Sequence, residues 1–147
     1  MKKLIVYTDG GSRGNPGLAA IGVVIADEKK NILKEYSQYL GDNLTNNEAE
    51  YKAVIFALKK IKALFGKKKI GEFDVEIMSD SELLIKQMQG LYKILEPKIQ
   101  SLFVAVWNLK IDFKEVKFKL ISREKNKEAD KLVNEALDNQ NRAQTLI

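Results

Sequence analysis

The chain contains neither cysteine nor histidine. Without cysteine there is no disulfide framework and no thiolate metal site. Without histidine the commonest general base and the usual imidazole ligand of zinc are also gone. Any metal must therefore sit among oxygen ligands, which leaves Mg²⁺, Mn²⁺ or Ca²⁺ as candidates. Long apolar runs are missing too: the longest, Leu18 to Ala26 with Gly22 inside it, is about nine residues, against roughly 20 needed to span a bilayer. Between Met1-Lys2-Lys3 and Thr8 stand only four apolar residues, too few for the core of a secretion signal. These absences lead to the expectation of an intracellular, cytoplasmic protein with no membrane partner.

What is present suits one globular domain spanning residues 1–147, with 45% hydrophobic and 31% charged residues. The net charge of +5 favours polyanionic partners, nucleic acid being the commonest, although lysine-rich surfaces also serve solubility.

Leu4 to Thr8 is apolar throughout, as in a central strand buried on both faces. Asp9 ends it and opens a glycine-rich turn, Gly10 to Gly17, in which Pro16-Gly17 suits the central positions of a type II turn. Ala19 to Ala26 and Ile32 to Leu40 then read as two further strands of a meander, before Gly41-Asp42-Asn43 breaks the pattern. From Thr45 the period becomes helical. Glu50, Val54, Ala57, Ile61 and Leu64 share one stripe, with Thr45 or Asn46 as cap and Gly66 as stop. A carboxylate in line with core residues needs a partner, and Glu50 is one.

Phe73, Val75 and Ile77 alternate with polar neighbours in a fourth strand that ends at Ser79-Asp80, repeating the arrangement around Asp9. Short and longer helices follow, over Leu83 to Met88 and Pro97 to Leu109. Val116, Phe118 and Leu120 mark a fifth strand, and a last helix covers about 127 to 138, with a polar tail over 139–147 that ends in Leu146-Ile147. Trp107, surrounded by Leu102, Phe103, Val106 and Leu109, is expected in the core. The order implies an α/β fold: a five-stranded mixed sheet, with a three-strand antiparallel meander and two parallel strands, flanked by helices.

Strands joined through a helical crossover are usually parallel and often adjacent, so Asp9 and Asp80 are expected at neighbouring strand ends, beside the crevice where open α/β sheets bind ligands. Glu50 and Asp130 can project into the same crevice. Most of the 20 acidic residues simply solvate the surface. Four converging ones would repel each other until they took up protons or a cation.

The words around these carboxylates are specific in conjunction. Tyr7-Thr8-Asp9-Gly10-Gly11-Ser12 with Gly14-Asn15-Pro16-Gly17, then Thr45-Asn46-Asn47-Glu48-Ala49-Glu50-Tyr51, then Ser79-Asp80-Ser81, and finally Asn126-Lys127-Glu128-Ala129-Asp130 resemble the four motifs of the type 1 ribonuclease H family, in its order, over roughly residues 3 to 138. The resemblance implies a ribonuclease H-like fold and endonucleolytic hydrolysis of the RNA strand of an RNA/DNA hybrid. It makes Asp9, Glu50, Asp80 and Asp130 the catalytic, metal-binding carboxylates. Glu48 is not among them. Two Mg²⁺ ions, or Mn²⁺ in their place, would activate the attacking water and stabilise the departing 3′ oxygen, leaving 5′-phosphate and 3′-hydroxyl ends. Asp9, at the centre of the sheet, would bridge them, and Asp130 would hold the water-activating ion.

The resemblance also assigns the reading of the hybrid's minor groove to the Gly10, Gly11 and Ser12 backbone, Asn15, Asn46, Asn47 and Glu50, with Thr45 near a phosphate of the DNA strand. Tyr92 and Lys93, after the helix that begins at Asp80, are candidates for the DNA strand as well. Glu82 stands where many members carry glutamine. Two departures from the family pattern stand out. The loop histidine of many members is replaced by a segment in which Arg123 or Glu124 are the candidate auxiliaries, and no basic protrusion is present, so weak, salt-sensitive binding by a monomer without an obligate protein partner is expected. The alternatives are a nuclease of the same fold acting on DNA or duplex RNA, a non-catalytic hybrid-binding module, and a nucleotide binder. The last would need the glycine-rich turn to open a helix, whereas Leu18 to Ala26 is strand-like.

Overall fold

The computed structural model describes residues 2–145, so Leu146 and Ile147, the expected end of the polar tail, lie outside the described residues. Three strands form the meander: β1 (Lys3–Gly14), β2 (Gly17–Asp27) and β3 (Ile32–Leu44). Helices α1 (Asn46–Phe65) and α2 (Lys67–Ile70) lead to β4 (Asp74–Ser79). After α3 (Glu82–Met88) and α4 (Pro97–Lys110) come β5 (Glu115–Leu120), a 3₁₀ turn (Arg123–Asn126) and α5 (Lys127–Thr145). The sheet order is β3-β2-β1-β4-β5, antiparallel through the meander and parallel for β1–β4 and β4–β5. The expected mixed sheet is present, with β1 at its centre.

Several boundaries differ from the sequence reading. Gly10 to Gly14 are strand rather than turn, because Gly10 pairs with Ile21 and the ladder to β2 continues to Gly14 opposite Gly17. The reversal is confined to Asn15 and Pro16, joined by a cis peptide, in place of the expected type II turn centred on Pro16-Gly17. β3 likewise runs on past Gly41 to Leu44, with Gly41 and Asn43 at positive φ accommodating irregular pairing with β2. Helix α5 continues through 139–145, where a tail was expected. Leu64 and Trp107 are exposed instead of buried. The Trp107 ring stacks on Phe103, and the Lys110 ammonium lies 4.4 Å above it.

The main core fills the space between one sheet face and α1, α3 and α4. Leu4, Val6, Ile77, Tyr51, Leu58 and Ile61 are all fully buried there. Each such aliphatic side chain contributes about 1.5–3 kcal/mol through burial, which outweighs the weak local propensities of the helices. On the other face Ala20 packs against Val133, Ala136 and Leu137 of α5. A Cβ on Gly22, which sits opposite Asp9 in the β1–β2 register, would lie 2.1 Å from the Ala129 carbonyl oxygen. The bare backbone there brings α5, and with it Asp130, close to the sheet.

The start of α1 is fixed by a capping box. Thr45 Oγ1 accepts from the Glu48 amide at 3.1 Å, and Glu48 Oε1 accepts from the Thr45 amide at 3.3 Å. Such a cap contributes about 1 kcal/mol and uses up the Glu48 carboxylate locally. Glu50, two residues on, remains available.

Candidate active site

Four elements deliver the carboxylates to one cleft of about 620 Å³, whose lining includes Asp9, Glu50, Asp80 and Asp130. Asp9 comes from the middle of β1 and Glu50 from the first turns of α1. Asp80 sits where β4 gives way to α3, a junction set by Ser79 Oγ accepting from the Ser81 amide and Ser81 Oγ capping Leu84. Asp130 lies in the first turn of α5. Oxygens of Asp9, Glu50 and Asp80 all fall within 4.8 Å of one another. Asp130 lies outside that tight group but lines the same cleft.

Electrostatics make this arrangement costly without a cation. Burial, reinforced by the negative charges of Asp80 and Asp130, pushes the Asp9 carboxyl up from 3.8 to about 7. Glu50 is held well above the ordinary range by burial first, then by Asp9 and Asp80. Its Oε2 is buried with no hydrogen-bond partner. Asp9 Oδ1 has one protein donor, the Gly10 amide at 3.0 Å. Among the described residues Arg123 pairs with Asp80, its Nε 4.0 Å from Asp80 Oδ2 on a side chain that is 96% exposed, so the pair is weak. A buried orphan oxygen, an all-oxygen donor set and unrelieved mutual repulsion together fit a hard divalent cation held by these carboxylates.

The cleft wall is built by hydrogen bonds between the β1–β2 hairpin and the start of α1. The Ser12 amide donates to Asn46 Oδ1 at 2.8 Å, and the Asn46 amide donates to Asn15 Oδ1 at 3.0 Å. Ser12 Oγ donates to the Leu44 carbonyl at 2.7 Å and also contacts the Gly14 carbonyl. With their amide oxygens committed inward, Asn15 and Asn46 offer their amino groups as the donors of this wall. Asn47, Gly10 and Gly11 line the cleft beside them.

The other expected contacts are more dispersed. Thr45 serves as the helix cap, and Glu124 is exposed on the 3₁₀ turn. Glu82 and Tyr92 pair with each other on the surface, the phenol donating to Glu82 Oε1 at 2.8 Å. Lys93 lines a smaller groove that continues from the cleft through the shared residues Asn47 and Leu83.

Asn126 was not among the expected site residues, yet it is 1% exposed and central. Its Nδ2 donates to the Thr8 carbonyl at 2.9 Å and reaches Asp80 Oδ1 at 3.5 Å, the outer limit of a hydrogen bond. It thereby ties the middle of β1 to the end of β4, beside Asp9 and Asp80. Its presence in the fourth motif, four residues before Asp130, was the available signal.

A family profile described as reverse transcriptase-like matches residues 7–136. LC11-RNase H1, isolated from compost by a metagenomic approach, is 49% identical, with a TM-score of 0.88 over 95% of this chain and 99% of that one. That relative also has a crystal structure in complex with an RNA/DNA hybrid. RNase H1 of the halophilic archaeon Halobacterium salinarum is 37% identical, with a TM-score of 0.84 over 93% of this chain and 98% of that one. A bifunctional protein of Mycobacterium tuberculosis is 34% identical over 137 residues; these are 92% of this chain, which spans only 36% of that relative's length. Together with the convergence of Asp9, Glu50 and Asp80 on one cleft, these likenesses show that the chain belongs to the type 1 ribonuclease H family.

Proposed function

We propose that the protein is an endoribonuclease that hydrolyses the RNA strand of RNA/DNA hybrids with two Mg²⁺ ions, or Mn²⁺, held by Asp9, Glu50, Asp80 and Asp130. The observation that carries this reading is the packing of three carboxylates, from three elements, within 4.8 Å of one another in an open cleft. Divalent ions held by these carboxylates would lower the pKa of an attacking water and offset charge on the leaving 3′ oxygen, chemistry that needs no histidine base and would leave 5′-phosphate and 3′-hydroxyl ends.

The chain's own residues do the rest. Asp9 and Glu50, both at least nine-tenths buried, hold their oxygens in fixed positions and lose little entropy on ligation. The amino groups of Asn15 and Asn46, with Asn47 and the Gly10 to Ser12 backbone, form a polar wall that can read 2′-hydroxyls in a minor groove. Tyr92 and Lys93 are the candidate contacts for the DNA strand. Arg123, exposed beside Asp80, is the auxiliary group in the segment that lacks a histidine. The proposed setting is the cytoplasm, with the protein acting as a monomer.

Incubation of a labelled RNA/DNA hybrid with the protein in Mg²⁺, beside duplex DNA, duplex RNA and an Asp80→Asn variant, tests the reading. Cleavage of the hybrid by the wild type and not by the variant is expected. An intact hybrid, or equal cleavage by the variant, overturns it.

A further inference from the structure

The acidic cleft is continued by a second groove of about 180 Å³, whose far wall is formed by Lys93, Ile94 and Leu95 in the loop joining α3 to α4. Apolar burial holds that loop at one point, Ile94, which packs against the main core, while Leu91 is 63% exposed and Leu95 79%. Side-chain amides hold its backbone as well. Gln87 Nε2 donates to the Lys93 carbonyl at 3.2 Å, and Gln100 Nε2 donates to the Ile94 carbonyl at 2.9 Å.

Gln87 is fixed from behind. Its Oε1 accepts a 2.7 Å hydrogen bond from the hydroxyl of Tyr51, which is fully buried and directly follows Glu50 on α1. Two hydrogen bonds in series therefore run from the helix that carries Glu50, through a buried glutamine, to the backbone of the loop wall. A glutamine amide accepts at one end and donates at the other, so both ends of this strut are engaged.

We propose that Tyr51 and Gln87 are positioning residues that hold the loop wall at the spacing needed to grip the uncut strand of the hybrid in register with Glu50. The groove can take a deoxyribose backbone: Leu83, Ile94 and Leu95 offer apolar surface to sugars, Lys93 supplies a cation for phosphate, and the Glu96 carboxylate in the same lining would keep phosphate away from its own end. This inference rests on the ribonuclease reading of the cleft and deepens it.

Tyr51→Phe and Gln87→Met keep the size of each side chain while removing the strut, and the double variant tests whether they act as one path. Two readouts are needed: tryptic cleavage after Lys93 in the native protein without substrate, and steady-state cleavage of a hybrid. Each single variant should be cut after Lys93 about fivefold faster and show KM raised by about fivefold, the worth of one net hydrogen bond, at unchanged kcat and Mg²⁺ dependence. The double variant should be no worse than Gln87→Met. Unchanged KM in variants that melt like the wild type overturns the inference, whether or not the loop is cut faster. If the wild type leaves the hybrid intact, the ribonuclease reading itself falls, which is a distinguishable failure.

Discussion

A Cβ built on Gly10 would lie 2.5 Å from the backbone nitrogen of Glu50 and 2.3 Å from the carbonyl carbon of Ala49. The glycine of the first motif is therefore bare against helix α1, and this contact sets how near Glu50 comes to Asp9. Gly10→Ala cannot be relieved by a rotamer change, because the clashing atoms are main chain. It should destabilise the protein by about 3 kcal/mol, at the upper end of overpacking costs. Hybrid cleavage should fall by at least ~100-fold, since Glu50 is displaced from the other carboxylates. Urea unfolding and kcat/KM measured on the same preparation check both; a variant within about 0.5 kcal/mol of wild type would show that the helix can back away freely.

Asp9 would link binding of the proposed metal to stability. Its carboxyl is raised from 3.8 to about 7, so between these values the folded protein keeps a proton that the unfolded chain has released. Stability of the metal-free protein therefore falls as pH rises through that window, by up to roughly 4 kcal/mol from this group. Asp9→Asn removes the penalty. The variant should be inactive yet melt higher than the metal-free wild type at pH 8, while the two converge near pH 4. Mg²⁺ should raise the wild-type midpoint at pH 8 and leave that of the variant nearly unchanged. Thermal melts with and without chelator across this range are the measurement.

The opposite sign holds at Glu76. This buried carboxylate on β4 accepts from Lys3 on β1 at 3.0 Å and from Lys119 on β5, so one side chain clamps three strands. The Lys119 hydrogen bond, followed by that of Lys3, holds its carboxyl below the usual range. The resulting stability is present above the ordinary glutamate range and is lost as pH falls through the lowered value. Both lysines are half exposed, so solvent screening limits the effect to about 1 kcal/mol. Glu76→Gln should lower the unfolding free energy by that amount at pH 7, and the difference should shrink as pH falls below the ordinary glutamate range. A constant difference across pH would point to packing instead of charge.

The four carboxylates were legible because each follows a local signal: an apolar strand before Asp9 and Asp80, a helical stripe through Glu50, a motif around Asp130. What was not legible depends on distant partners. Gly10 to Gly14 look like a turn in isolation, yet β2 supplies a ladder that keeps them extended. Helix α4 carries apolar residues on more than one side, and only its docking against α1 decides that Val106 is buried while Trp107 is exposed. The polar residues of 139–145 have no apolar stripe to announce a helix. They extend one that is already anchored by Val133 and Leu137 in the core and by the 2.7 Å ion pair of Arg13 with Asp138.

Asn126 depends on another such relationship, a hydrogen bond to the Thr8 carbonyl 118 residues away. Its Nδ2 reaches Asp80, and its Oδ1 is buried and unpartnered, so the amide is held by one end. Asn126→Ala would strand the Thr8 carbonyl, a loss of about 1–3 kcal/mol. It would also free the Asp80 carboxylate to turn. Groups that orient a metal ligand typically contribute 10–100-fold to affinity or activity, so cleavage should fall by about that factor and the Mg²⁺ concentration for half-maximal rate should rise. A Mg²⁺ titration of hybrid cleavage separates this from simple destabilisation, because a folded fraction that merely shrinks lowers the rate at every Mg²⁺ concentration without shifting the midpoint. An unshifted midpoint would confine Asn126 to joining the strands.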